Sequence, residues 1–154
     1  MLNVMRRKER ELDRAEVERI VSKGTYGVLS MNGENDYAYG VPLSYAYTGS
    51  SIYVHCAPEG RKITLIRNDN RVSFCIVTEA VPLADQFSMK YESAIVFGKA
   101  FEVEREEKLK ALLLLVEKYC PEYLEKGKAY ALDSLHKTSV IRLDIEFISG
   151  KARR

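Results

Sequence analysis

The stretch Tyr37-Ala38-Tyr39-Gly40-Val41-Pro42-Leu43-Ser44-Tyr45-Ala46-Tyr47 alternates large and small side chains with a period of two. That period belongs to a β-strand with two unlike faces. Tyr37, Tyr39, Val41, Leu43, Tyr45 and Tyr47 fall on one face, Ala38, Gly40, Pro42, Ser44 and Ala46 on the other. The bare face either receives something flat or packs closely against another strand or helix. Pro42 has no N–H to give to a ladder, which predicts an edge strand or a bulge. The tyrosine face fits a core or a subunit interface.

Turn signals on both sides make this strand the middle of two hairpins. Residues 26–31 read as a strand and 32–36 as a polar turn; after the central strand come a turn at 48–50 and a strand at 51–57. Further strands are expected at 71–78, at 91–103 with Gly98 as a bend or bulge, and at 139–148, while 79–90, with Pro82, reads as a loop. Helices are predicted over 13–23, 59–67 and 105–119, with a weaker helical region through 121–136. Asp13 is placed to cap the first of these, and Gly24 to end it; its apolar face is Val17, Ile20 and Val21. In the third, Leu109, Leu112, Leu113 and Val116 are expected to face the core. About six mostly hairpin-connected strands with outlying helices favour a mainly β (α+β) fold, a small antiparallel barrel with peripheral helices, over a parallel sheet.

Composition narrows the class. A chain of 154 residues with 46% hydrophobic and 30% charged residues is expected to form one globular domain over 1–154. Net charge is +2 and the basic residues alternate with acidic ones, as in Arg6-Arg7-Lys8-Glu9-Arg10-Glu11, which argues against nucleic acid as a partner. Residues 111–116 form the longest apolar run, too short for a membrane span, and no signal peptide is evident, so a cytoplasmic protein is expected. Cys56, Cys75 and Cys120 lie outside any paired-ligand spacing and read as small core residues, Cys56 alternatively as a ligand neighbour. No metal site is expected.

The chemistry concentrates in Ile52-Tyr53-Val54-His55-Cys56-Ala57-Pro58-Glu59-Gly60-Arg61-Lys62, an apolar strand running into a helix that begins Gly-Arg-Lys. Backbone N–H groups at a helix N-terminus lack intrahelical partners and carry the positive end of the dipole, so this junction suits a phosphate. Gly60 gives access to the backbone, and Arg61 and Lys62 add charge. An ordinary turn with solvated basic residues fits the same stretch. His55 is either a site residue able to act near neutral pH or a half-buried strand residue bonded to a neighbour, and His136 reads as a surface residue.

The order of these pieces resembles the FMN-binding split-barrel family related to pyridoxamine 5′-phosphate oxidase, in its nitroimidazole-resistance-type branch. The resemblance runs through Met5 to Glu11, Tyr26-Gly27-Val28-Leu29-Ser30, Val41-Pro42-Leu43-Ser44-Tyr45, Ile52 to Ala57, Gly60-Arg61-Lys62, Ser93-Ala94-Ile95-Val96-Phe97-Gly98 and Ile148-Ser149-Gly150-Lys151. It implies a homodimeric flavoprotein with FMN near the subunit interface, passing electrons from a reductant to a small acceptor such as a nitro-aromatic compound. It also implies that Gly60, Arg61 and Lys62 hold the phosphate and that Pro42, Leu43, Ser44, His55, Cys56 and Ala57 flank the ring. Ser93 would lie near the flavin, with Glu92 in its place if the register slips by one. His55 would be the catalytic residue. Lys151 would reach a partner's phosphate, or else belong with Arg153 and Arg154 to a flexible basic end. Oxidases proper carry a C-terminal aromatic and arginine signature that this tryptophan-free chain lacks, which sets vitamin oxidation aside. A haem protein, a non-catalytic flavin binder and a deazaflavin protein remain as alternatives on the same barrel.

Overall fold

Closure of the sheet is accomplished by two residues. A computed structural model describes residues 4–35 and 37–154; Met1, Leu2 and Asn3, at the start of the expected domain, and Asp36 of the expected 32–36 turn lie outside them. The strands are β1 (Gly27–Asn32), β2 (Ala38–Leu43), β3 (Ala46–Tyr47), β4 (Ser51–Cys56), β5 (Arg71–Leu83), β6 (Ser88–Val103) and β7 (Ser139–Arg153). They form one antiparallel sheet in the order β2-β1-β5-β6-β7-β4-β3. Its two outermost strands are consecutive in sequence, so Ser44 and Tyr45 carry the chain from one edge to the other and the sheet curls into a split barrel. Helices α1 (Arg14–Lys23), α2 (Arg61–Asn68), α3 (Arg105–Tyr119) and α4 (Leu124–Ser134) lie around it.

Seven strands therefore stand where six were expected, because the 37–47 segment breaks. Alternation holds from Ala38 to Leu43, with Pro42 exposed on an edge strand as its missing N–H requires. At Tyr45 it fails, since Tyr45 and Ala46 are both buried. The Tyr45 ring meets Phe74 edge-on, with centroids 5.0 Å apart. Its hydroxyl donates to the Val21 carbonyl at the end of α1, and its backbone N–H donates to the Tyr119 hydroxyl of α3 (3.0 Å). Tyr119 in turn donates to the Thr25 carbonyl (2.6 Å). Gly24 caps α1 with an ordinary negative φ; glycine is required there because a Cβ would strike the Tyr45 hydroxyl and Ile76.

Two cores result. The barrel interior holds Val17, Ile20 and Val21 of α1 with Leu29, Ile52, Val54, Phe74, Ile76, Val96 and Ile141 among others; Ala46, Tyr53, Ala111, Leu112, Leu115, Ala131 and Val140 form a second cluster under α3 and α4. β4 is buried on both faces between them, which is why it reads as an unbroken apolar run. Asp13 accepts the Glu16 N–H (2.9 Å) as the expected cap of α1. On α3 the buried stripe is Lys108, Ala111, Leu112 and Leu115, rotated from the expected 109/112/113/116 set; four consecutive leucines at 112–115 leave the helical phase unmarked by any polar residue.

Three further expectations change. The 79–90 segment is no loop: β5 and β6 run on as a hairpin arm to Leu83 and from Ser88, turning at Ala84–Gln86 and at Phe87, which has φ +49°. The C-terminal end is ordered, because the buried Glu92 carboxylate requires cations: Arg154 binds Glu92 (3.3 Å) and Glu16 (2.7 Å), and Arg19 binds Glu92 (2.9 Å). The cysteines are free, Cys56 and Cys75 half-buried and Cys120 exposed, so they are not fully buried core residues. A register shift between Phe97 and Gly98 marks the expected bulge. On the outer face of the sheet, Val28 pairs Cys75 and Cys75 pairs Ile95, while Phe97 pairs Phe147. Val77, Ile95 and Phe147 are exposed there.

Lys118 of α3 makes a test of this packing. Its ammonium lies 3.7 Å from the centroid of the Tyr45 ring and 5.2 Å from that of Tyr119, and has no hydrogen-bond partner among the described residues. Burial disfavours its charged form and lowers its pKa from 10.5 to about 8. The unfolded chain keeps the ordinary value, so between those limits it binds more protons than the folded chain, and this side chain adds stability as pH rises. Urea unfolding of the protein and of Lys118→Met at a series of pH values from 7.5 to 10 is expected to show the native protein gaining on the variant; a constant difference would place the ammonium in water.

Candidate functional site

The site is built where β4 ends. Alternation along β4 sends Ile52, Val54 and Cys56 toward the barrel interior and Ser51, Tyr53 and His55 toward α3. Within that second row Ser51 donates to Asp144 (3.4 Å) and Tyr53 to Glu107 (2.9 Å), while His55 opens onto a cavity under α3 and α4. His55 is exposed at the mouth of this cavity rather than half-buried, and the partial loss of water from its imidazole lowers its pKa, favouring the neutral ring at pH 7. His136 is exposed at the end of α4.

Past Ala57 the chain turns through Gly60, whose φ of +144° is a conformation L side chains rarely adopt. Space in front of Gly60 is open, since a Cβ there would meet nothing within 4 Å. α2 starts at Arg61 with no side-chain cap, and its first backbone bond is Thr64 N–H to the Gly60 carbonyl (3.2 Å). The N–H groups before Thr64 are thus left to solvent or to an anion. Arg61 is exposed and lies 5.2 Å from the Tyr39 ring centroid. Lys62 is half-buried near Cys56, whose thiol pKa burial raises and Lys62 partly restores.

The structure thus brings Ser44, His55, Cys56, Ala57, Gly60, Arg61 and Lys62 to one end of the barrel, with differences among them. Ser44 and Pro42 are exposed; Leu43 and Cys56 are half-buried, their side chains packed against the core. Ser93 and Lys151 lie elsewhere. They pair across β6 and β7 (Ser93 Oγ donating to the Lys151 carbonyl at 3.5 Å), whereas His55 pairs with Val140 near the opposite end of β7. Eleven positions along one strand separate Val140 from Lys151. Glu92 points inward onto Arg19, Thr78 and Arg154, so Ser93 is the outward-facing residue of the pair.

The side chains across the cavity from His55 were not legible. Tyr119, Tyr130, Ser134 and Thr138 line it with apolar residues of α3. α3 and α4 read as packing helices; the signal to be had was Tyr130 and Ser134, one helical turn apart, whereas Thr138 lies past the end of α4 where no helical spacing announces it. Among the described residues, no group of three His, Cys, Asp or Glu side chains is placed to hold a metal, and no helix is long and apolar enough to cross a membrane.

The family model described as pyridoxamine 5′-phosphate oxidase matches residues 13–152. The chain belongs to that family. Solved structures share the fold across nearly the whole chain. A candidate 5-nitroimidazole antibiotic resistance protein from Bacteroides thetaiotaomicron is 23% identical with a TM-score of 0.78, covering 92% of this chain and 85% of its own. The flavocytochrome Anf3 from Azotobacter vinelandii is 19% identical with a TM-score of 0.82, covering 99% and 73%. An FAD-binding protein from Mesorhizobium loti is 24% identical with a TM-score of 0.66, covering 94% and 98%. Comparison with curated proteins finds no match.

The environment of His55 gives a direct check. Its ring carbon protons, followed by NMR from pH 4 to 8, are expected to titrate with a midpoint below 6.5, because the cavity wall strips water from the charged form. A midpoint above that value would mean an anionic neighbour the site does not contain.

Proposed function

We propose that this chain is an FMN-dependent oxidoreductase that works as a homodimer in the cytoplasm and reduces a small acceptor such as a nitro-aromatic compound. One observation carries the reading: an uncapped helix N-terminus, a positive-φ glycine facing open space, and Arg61 and Lys62 all follow directly on the strand that bears His55. These residues fit a phosphate monoester. Arg61, Lys62 and the free N–H groups would take the phosphate, and the exposed strip at Pro42 and Ser44, with the backbone at Leu43, Cys56 and Ala57, would support the flat ring. FMN, when bound, supplies two-electron transfer between a reductant and the acceptor. His55, neutral at pH 7, would orient the acceptor or hold a proton at its ring nitrogen. The likeness to a flavocytochrome and to an FAD-binding protein supports a flavin.

The homodimer rests on the uncovered sheet face. Antiparallel sheets ordinarily present polar residues to water, yet Val77, Ile95 and Phe147 stand exposed here. A second copy over this face would bury them and bring its Ser93 and Lys151 toward the site of the first, which the chain's own copies do not reach.

The purified protein is expected to absorb near 450 nm and to release FMN identified by mass; a Soret band instead would establish a haem protein, and a deazaflavin mass would replace FMN. Arg61→Ala and Lys62→Ala are each expected to weaken FMN about tenfold or more, the worth of a charge-assisted contact, while leaving riboflavin, which lacks the phosphate, unaffected. Equal losses for both ligands would remove the phosphate from this end of the barrel. Light scattering is expected to give twice the 17.6 kDa chain mass, and Ile95→Glu is expected to halve it.

A further inference from the structure

The phosphate grip leaves the cavity beyond His55 unexplained. It measures about 400 Å³, the size of a small-molecule pocket. Leu112, Leu115, Val116 and Ala131 form its floor, continuous with the second core. The hydroxyl side chains of Ser134 and Thr138 line it as well, and Tyr130, 75% exposed, stands at its rim. No Asp, Glu, Lys or Arg lines it. Lys62 lies by Cys56, on the other face of β4, and Lys118, whose ammonium rests 3.7 Å from the Tyr45 ring centroid and 5.2 Å from that of Tyr119, is not itself part of the lining.

We propose that this cavity binds an uncharged, flat, largely apolar molecule of about two or three rings, with Tyr130 stacking on it and Thr138 supplying a hydrogen bond. Apolar walls reward burial of such a ligand in proportion to its area, and aromatic side chains favour stacked or edge-on rings. An anion entering here would lose its water and meet no cation, a cost that excludes it. A phosphorylated vitamin is therefore refused. Ser44 and His55 border both the cavity and the cofactor strip. On that point the inference rests on the flavin reading, for if the ring lies along those residues, the occupant of the cavity is the electron acceptor.

The test uses two probes that differ by one sulfonate, N-phenyl-1-naphthylamine and 8-anilinonaphthalene-1-sulfonate, added to the protein as purified. The neutral probe is expected to bind saturably, with a rise in its fluorescence, and the sulfonate at least about tenfold more weakly. Cys120 lines the cavity and is exposed; saturating neutral probe is expected to slow its alkylation, read by mass spectrometry, and to leave Cys56 and Cys75 unchanged. Thr138→Asp is expected to cost the neutral probe about tenfold, with Thr138→Val held within about threefold. Equal affinity for the two probes, unprotected Cys120, or undiminished binding by Thr138→Asp would each overturn the proposal. Flavin absorbance read on the same samples separates the two readings. Flavin-loaded protein that treats the probes alike ends the cavity assignment only, and flavin-free protein that discriminates between them ends the FMN reading only.

Discussion

The turn of the chain at Tyr45 is the constraint on which the rest of the molecule depends. Five strands of the sheet could be laid flat without it, but β2 and β3 occupy opposite edges and are joined by Ser44 and Tyr45 alone. The ring of Tyr45 is fixed against Phe74, its hydroxyl against α1 and its backbone against α3. A buried polar group is tolerated only when bonded, and here the bonds that satisfy it also tie three separate elements to the corner. Ser44, which borders the cavity, is positioned by the same residue that closes the sheet.

β4 converts this closure into a functional end. Because it is sandwiched between the barrel interior and α3, its side chains are divided between two compartments, and His55 and Cys56 emerge on opposite sides. Cations gather on the Cys56 side, at the start of α2, while the cavity beside His55 has no Asp, Glu, Lys or Arg in its lining. A strand with one solvated face could not separate an anion grip from an apolar cavity so sharply. The electrostatic division is a consequence of alternation on a strand whose two faces are both covered.

Much of this was legible in sequence. The antiparallel class, the edge position of Pro42, the cap at Asp13, the bulge at Gly98 and a helix starting at the Gly60-Arg61-Lys62 junction all follow from local rules; the order of strands in the sheet does not, since the 37–47 segment, read as one strand between two hairpins, splits between opposite edges. What escaped depended on distant partners. The break at Tyr45 is invisible in an alternation that continues to Tyr47, because only Phe74, Val21 and Tyr119 make that ring a pivot. The 79–90 hairpin arm lacks the short turn signal that marks the other hairpins. The C-terminal basic residues are ordered by Glu92, whose inward orientation no neighbouring residue announces. The phase of α3 is set by what it packs on, since its leucine run suits several.

Pairing of β4 with β7 joins Ser51 to Asp144 in the first register pair, well over half the length of the chain. During synthesis the strand bearing Ile52, Tyr53 and Val54 leaves the ribosome long before its partner, with a sticky edge and nothing to cover it. Until β7 is made, the sheet has no partner for the free edge of β4. β7, between β4 and β6, is the zip that shuts that gap.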